Sequence, residues 1–324
     1  MNDQSPTLVS IVVPVYNEDD ALTDLLKRLQ TVTDELAGNY VYEFVFIDDG
    51  SQDNSLQLAK DLAEQEKRLR VVELRGNYGQ TAALQAGFDE ARGEIVISMD
   101  ADLQHFPEDI PMFMERIEAG VDVVCGWRHD RQEGIIRRWP SKVANWLIRK
   151  ISGLTINDVG TTFRAYKKDI LDDIILLGEN HRFVPVFAKV VGARIEEVPI
   201  QNIERPHGES NYGISRTLNV FMDLFFLYFY TRYLDRPIRI FGKIAMFLFF
   251  FAALITLYLF FLWVTTGIPV VREHSGLFVV GVILYLASIQ LLIGGIVSEL
   301  MARLYFSEGG GRKAYKVRKI WGAE

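Results

Sequence analysis

The chain has 324 residues, of which 35 are Lys or Arg and 42 are Asp or Glu, for a formal net charge of −7. That length holds one sizeable α/β domain plus a further segment, and the mildly acidic balance excludes a nucleic-acid surface spread over the whole molecule. The single cysteine, Cys125, excludes an internal disulfide framework. It ends an apolar run and reads as a core residue, which suits a reducing compartment.

Strand-like and helix-like runs alternate through residues 1–215. Met1 to Thr7 is polar and a buried strand follows at Leu8 to Val13, so no signal peptide is expected. Leu22, Leu25, Leu26, Leu29, Val32 and Leu36 then recur at spacings of three and four, which marks one face of a helix. Val41 to Ile47 is the second predicted strand and Ser55 to Glu66 the second helix. Val71 to Leu74, the helix Gln80 to Ala91 and the strand Glu94 to Met99 continue the alternation. This succession predicts a mainly parallel sheet with helices on both faces. Such sheets bind ligands beyond the carboxyl ends of their strands.

Acidic residues stand at three of those ends. The first strand runs into Pro14-Val15-Tyr16-Asn17-Glu18, the second into Asp48-Asp49-Gly50-Ser51, and the fourth into Asp100-Ala101-Asp102-Leu103-Gln104. Helix capping by Asp49, Ser51 or Asp53 explains one acid at a strand end, but not doubled acids. Continuing the two-residue period of a strand, Asp100 and Asp102 are expected to point together, with the Gln104 carboxamide adding an oxygen. Such oxygens hold Mg²⁺ against a diphosphate, which with water completes the coordination. His105, His129, His181, His207 and His274 are scattered without zinc spacing. With no glycine-rich phosphate loop either, metal and arginines are expected to meet the phosphates.

From about Thr217 the composition changes. The stretches between Lys243 and Arg272 and between His274 and Glu299 carry no charge, and each exceeds the roughly 20 apolar residues of a membrane span. Arg232, Arg236, Arg239 and Lys243 precede the first, and Arg312, Lys313, Lys316, Arg318 and Lys319 follow the second. The connecting loop has Arg272 beside Glu273. The positive-inside rule therefore puts both ends in the cytoplasm. Thr217 to Tyr233, rich in Phe, Leu and Tyr but broken by Asp223, suits an amphipathic helix in the membrane interface.

The ordered set PVYNE, DDGS and DADLQ on alternating strands resembles the inverting GT-A glycosyltransferases of family 2. Within it the chain looks like the polyprenyl-phosphate glycosyltransferases: dolichol-phosphate mannose synthases, bactoprenol glucosyltransferases and undecaprenyl-phosphate aminoarabinose transferases. The last group shares the look of Asn77-Tyr78-Gly79-Gln80, of Asp158-Val159-Gly160 leading into Arg164-Ala165-Tyr166, and of Arg205-Pro206-His207-Gly208-Glu209-Ser210, with paired C-terminal spans. The likeness covers nearly the whole chain. It implies a GT-A, Rossmann-like α/β catalytic domain over 1–215 and interfacial helices over 216–240. A two-helix transmembrane hairpin over 241–300 and a basic cytoplasmic tail over 301–324 would follow.

The resemblance also implies an activity: inverting transfer of a sugar from a nucleotide-sugar to undecaprenyl or dolichyl phosphate, with the nearest resemblance favouring UDP as the nucleotide and GDP left open. The product would be a lipid-linked monosaccharide for cell-envelope glycan, lipid or protein glycosylation. The implied partners are the donor, the acceptor and the bilayer of the inner (plasma) membrane, with Mg²⁺ or Mn²⁺ as cofactor. A homo-oligomer through the membrane segments is compatible with this picture, and no nucleic acid is involved. Carried over residue by residue, Pro14, Tyr16, Glu18 and Asp49 line the base and ribose, with Asp100 nearby. Asp102 and Gln104 hold the metal. Arg128, Arg137 and Ser141 receive the acceptor phosphate, and Arg205 contacts phosphates of the donor or acceptor. Asp158 is the expected catalytic base, removing any remaining proton and mainly orienting the acceptor for in-line attack.

Two departures stand out. Asn211 replaces the lysine that relatives commonly carry after Gly-Glu-Ser, which removes a positive charge expected near the phosphates. Thr162 stands where some bactoprenol glucosyltransferases place an acid. A processive polysaccharide synthase shares the sheet and the acids, but carries Gln-x-x-Arg-Trp; here Ile135 takes the glutamine position before Arg138-Trp139. Two spans also give little room for a translocation channel. A non-catalytic nucleotide-sugar-binding adaptor is the remaining alternative, and the retention of every acid argues against it.

Overall fold

The computed structural model describes residues 6–38, 40–129, 148–150, 152–176, 178, 180–201, 203, 227–229, 233, 236–267, 269–307 and 317–322. The chain forms two compact units, Met1–Leu227 with Arg312–Glu324, and Tyr228–Gly311.

The first unit is built on a sheet of β1 (Thr7–Val15), β2 (Tyr40–Asp48), β3 (Leu69–Leu74), β4 (Ile95–Ser98), β5 (Val123–Arg128), β6 (Arg164–Lys167), β7 (Ile195–Ile200) and β8 (Val317–Gly322). Their spatial order is β7-β5-β6-β4-β1-β2-β3-β8. The pairs β1–β2, β1–β4, β2–β3 and β5–β7 are parallel, while β6 and β8 run antiparallel to their neighbours. The central strands are continuous Val, Ile and Phe runs because both of their faces are covered. Helices α1 (Asp19–Glu35), α2 (Ser55–Gln65), α3 (Gln80–Glu90) and α4 (Ile110–Glu118) follow the first strands, with α5 (Lys168–Asp172) and α6 (Val184–Val190) later in the domain. Ala21, Leu22, Leu25, Leu26, Leu29 and Val32 form the buried stripe of α1, the face expected from their spacing. α3 lies so close to the sheet that a Cβ on Gly87 would stand 2.2 Å from Val12 Cγ1.

Three boundaries matter for the site. β1 and β2 continue to Val15 and Asp48, beyond the predicted ends, whereas β4 stops at Ser98. The strand period therefore does not reach Asp100 and Asp102, and their placement is set by a turn instead. β6, inserted antiparallel between β4 and β5, opens at the edge where β5 closes. Residues 317–322, read from sequence as part of a basic tail, form β8 against β3. Trp321 Nε1 donates to Glu73 Oε2 at 3.3 Å, and the Lys60 ammonium stands 4.2 Å from the indole centre.

The second unit contains α7 (Ile238–Thr266), the short α8 (Val270–Glu273) and α9 (Ser275–Ser307). Ile238–Thr266 and Ser275–Met301 are long and apolar enough to cross a membrane, and only 17% and 11% of their most apolar stretches are buried. A core helix of a soluble protein would be mostly covered. The buried residues of α7, Ala245, Ala252 and Leu259, recur every seven residues. On α9, Gly281, Ser288 and Gly295 recur at the same interval. A Cβ on Gly295 would fall 2.8 Å from Phe241 Cβ, and Ser288 Oγ donates to the Ala245 carbonyl at 2.9 Å. Small residues at a shared seam are how apolar helices approach closely where no hydrophobic force drives them together.

Candidate active site

The strand order reverses at β1, with β2 and β3 on one side and β4 on the other. Pro14–Glu18 and Asp100–Gln104 thus leave adjacent strands at the crevice where such sheets bind ligands. Side chains stitch the first two loops together. Asn17, at φ 55°, accepts from Gln52 N through Oδ1 at 2.8 Å, and its own N–H donates to Ser51 Oγ at 3.1 Å. Glu18 N donates to Ser55 Oγ at 2.8 Å. Pro14 is half-buried within β1, whereas Tyr16 is exposed.

The paired acids of β2 have separate tasks. Asp48 Oδ2 accepts from the N–H groups of Gly50 (3.2 Å) and Ser51 (3.3 Å). Gly50 takes φ +71°, and a Cβ there would stand 2.6 Å from the carbonyl carbon of Gly76. Buried Asp49 accepts from Tyr78 N at 2.7 Å and Gly79 N at 2.8 Å, one bond to each oxygen. Burial raises its pKa while the two donors oppose the rise. Asp49 therefore holds the Asn77–Gly79 turn in place beside the end of β2. That turn delivers Gln80, whose Nε2 donates to Asp100 Oδ1 at 2.7 Å.

Asp100 also accepts from the Thr162 hydroxyl through Oδ2. Lost solvation raises the Asp100 pKa against the pull of Thr162, Arg128, Gln80 and Arg164. Leu103 has φ 58°, a left-handed conformation that costs a non-glycine residue about 1–2 kcal/mol. Strain of this kind clusters at functional sites. It turns the chain so that Gln104 N donates to Asp102 Oδ1 at 3.1 Å. His105 is 3% exposed, its Nδ1 lies 4.0 Å from Asp100 Oδ2, and neither ring nitrogen has a hydrogen-bond partner among the described residues. Burial and Arg128 push its pKa down to about 4, against Asp102 and Asp158, so the ring is neutral at physiological pH. Arg28 anchors the far end of this loop, donating through Nε and Nη2 to Glu108 at 2.9 and 2.6 Å.

Arg128 closes β5 and meets Asp158 edge-on. Nε donates to Oδ2 at 2.7 Å and Nη2 to Oδ1 at 3.0 Å, with the side chains 17% and 7% exposed. The two residues taken from sequence as phosphate ligand and base are thus one ion pair. Asp158 Oδ1 also accepts from Gly160 N at 3.1 Å. Glu197, on β7, accepts from Asn157 N, Asn157 Nδ2 and Asp158 N. Buried Arg164 donates to the carbonyls of Val159, His181 and Arg182 at 2.8, 3.0 and 3.2 Å.

Arg137, Ser141 and Arg205 lie outside the described residues, as do Asn211 and most of 216–240. Among the described residues, no three His, Cys, Asp or Glu side chains form a metal cluster. Asp102 and Gln104 offer hard oxygen donors, with orphaned His105 in the same loop. That set fits a Mg²⁺- or Mn²⁺-type ion that takes its other ligands from diphosphate and water. Sequence reasoning missed Thr162 and Glu197 as partners of the acids. Thr162 was visible only as a departure from relatives, and Glu197 is one acid of a polar edge strand with no periodic signal.

Residues 10–175 match the family model for Glycosyl transferase family 2. The chain belongs to that family. It is 38% identical over 326 residues to a dodecaprenyl-phosphate galacturonate synthase of Rhizobium johnstonii, covering 99% of this chain and 95% of the relative. It is 36% identical over 315 residues to an undecaprenyl-phosphate 4-deoxy-4-formamido-L-arabinose transferase of Pseudomonas fluorescens, covering 96% and 89%. Among solved structures, the glucosyl-3-phosphoglycerate synthase of Mycobacterium tuberculosis with Mn²⁺, uridine diphosphate and phosphoglyceric acid matches at a TM-score of 0.52 and 16% identity, over 69% of this chain and 78% of that one. That likeness is one of fold, the GT-A-like sheet shared by family 2 members.

Proposed function

We propose that this family 2 enzyme transfers a sugar from a nucleotide-sugar, with UDP as leaving group, to a polyprenyl phosphate in the inner membrane. The observation that carries the reading is the colinear likeness to a dodecaprenyl-phosphate galacturonate synthase over 99% of the chain, apolar helix pair included. The basic residues flanking both helices support a cytoplasmic catalytic domain.

The site supports a division of labour. Tyr16, Glu18 and the turn held by Asp49 take the nucleoside, and Asp102 and Gln104 would hold a divalent cation that neutralises the departing diphosphate. The nucleophile is a phosphate monoester oxygen with a second pKa of about 6, so near neutral pH it is mostly ionised and needs little basic assistance. A carboxylate in a two-point ion pair with a guanidinium is a weak base. Asp158 therefore acts chiefly by fixing Arg128, whose guanidinium has five N–H donors and gives two to the carboxylate. The remaining donors suit the acceptor phosphate and hold it for in-line attack. Arg137, Ser141 and Arg205 are proposed as further phosphate contacts.

The test is transfer from a panel of radiolabelled nucleotide-sugars to undecaprenyl phosphate by the purified full-length protein in lipid nanodiscs. Label from a uridine nucleotide-sugar is expected in the lipid extract. Donor binding with no lipid-linked product for any sugar would favour the adaptor reading instead.

A further inference from the structure

We infer that Glu197 is the positioning residue of the Arg128–Asp158 pair, holding the Asn157–Asp158 backbone so that the carboxylate meets the guanidinium edge-on. The inference rests on the role proposed above for that pair. Three N–H groups converge on one carboxylate: Asn157 N to Oε1 at 2.5 Å, Asp158 N to Oε1 at 3.0 Å, and Asn157 Nδ2 to Oε2 at 2.9 Å. β5 and β7 are parallel neighbours, with Cys125 opposite Glu197 and Arg128 opposite Ile200. One strand pair therefore carries both the guanidinium and the carboxylate that grips the loop facing it.

A carboxylate placed beside Asp158 is not neutral ballast. Burial and the Asp158 charge both raise the pKa of Glu197, while the three donors lower it. Like charges side by side cost energy, and the bonds to the Asn157–Asp158 backbone offset that cost. Arg164 grips the next residue from the other side through the Val159 carbonyl. The segment is clamped before and after Asp158, and the acid is left little freedom to turn from Arg128. Geometry held this closely is what catalytic constellations require of their supporting residues.

The test uses full-length protein in nanodiscs, with separate kinetics for donor and acceptor. Glu197→Ala is expected to lower kcat/KM for undecaprenyl phosphate by about 10- to 150-fold, the worth of one charge-assisted hydrogen bond expressed in the rate. KM for the nucleotide-sugar should stay unchanged. Glu197→Gln keeps a carbonyl oxygen for the two backbone donors and should recover most of the loss. Added to Asp158→Asn, Glu197→Ala should cost nothing further, because residues acting through one another are not additive. If the alanine variant does not fold, Glu197→Asp, which withdraws the carboxylate by one methylene, should show the same acceptor-side loss.

Additive losses, a raised donor KM, or no recovery in Glu197→Gln would overturn the inference. If Asp158→Asn is impaired while Glu197→Ala turns over normally, this inference alone fails. If Asp158→Asn is itself unimpaired, the proposed role of Asp158 fails and the inference falls with it.

Discussion

Asp158→Asn separates orientation from proton transfer. The wild-type carboxylate takes two charge-assisted bonds from Arg128, at 2.7 and 3.0 Å, in a pair only 17% and 7% exposed. Asparagine keeps one acceptor and turns the other oxygen into an NH₂ facing a guanidinium N–H, so at least one bond is lost. Bonds to charged groups contribute about 1.5–3 kcal/mol each. If that energy is expressed in the transition state, kcat falls by roughly 10- to 150-fold, with donor binding intact. Alanine is the poorer probe, since removing one partner of a buried pair costs about 3–5 kcal/mol of stability. The assay is lipid-linked product formation at saturating substrates between pH 6 and 8.5. Little recovery is expected at pH 8.5, because the acceptor phosphate is already ionised near neutrality. Restoration toward wild-type rate at high pH would refute orientation in favour of proton removal. An unchanged kcat at pH 7 would remove Asp158 from the mechanism.

Asp102→Asn should abolish turnover, and EDTA should inhibit the wild type until Mg²⁺ or Mn²⁺ is returned; full activity in chelator would sink the metal assignment. Buried His181 shares a 2.8 Å hydrogen bond with Thr81, and burial with Arg182 and Arg164 holds its pKa down to about 4. The unfolded chain binds that proton more readily, near pH 6.5, so the stabilisation is complete above 6.5 and is lost as pH falls toward 4. The loss reaches about 2 kcal/mol at pH 5, and His181→Asn should flatten the acid limb of a thermal-stability profile; an unaltered limb would contradict this. Gly295→Ala drives a methyl to 2.8 Å from Phe241 Cβ, whereas nothing stands within 4 Å of a Cβ on Gly294. The first should destabilise the helix pair by about 1–3 kcal/mol through overpacking, seen as a lower melting temperature in detergent, and the second should not; equal effects would refute the helix seam.

By itself the sequence determined the elements whose signal is local. Runs such as Val9 to Val13 and Phe44 to Ile47, β-branched or aromatic and of strand length, read as strands covered on both faces, and all but Ser10 are buried apolar side chains. The spacing of Leu22, Leu25 and Leu29 turns one side of a helix inward, and charge-free stretches beyond 20 residues suit a bilayer. The acids after β1, β2 and β4 were legible because topology delivers strand ends to one edge whatever lies between them. The tertiary structure decided everything that depends on direction and register. β4 ends before its acids, so Asp100 is defined by Gln80 and Thr162 rather than by pairing with Asp102. Arg128 and Asp158, 30 residues apart, meet because β6 enters antiparallel beside β5. Glu197 reaches the same loop only because β7 is parallel to β5 in one particular register. Val317–Gly322 joins β3 across a chain separation that includes both apolar helices. Periodicity reports how one segment meets solvent, whereas contacts of this kind are set by where distant segments stop, and only the folded sheet specifies that.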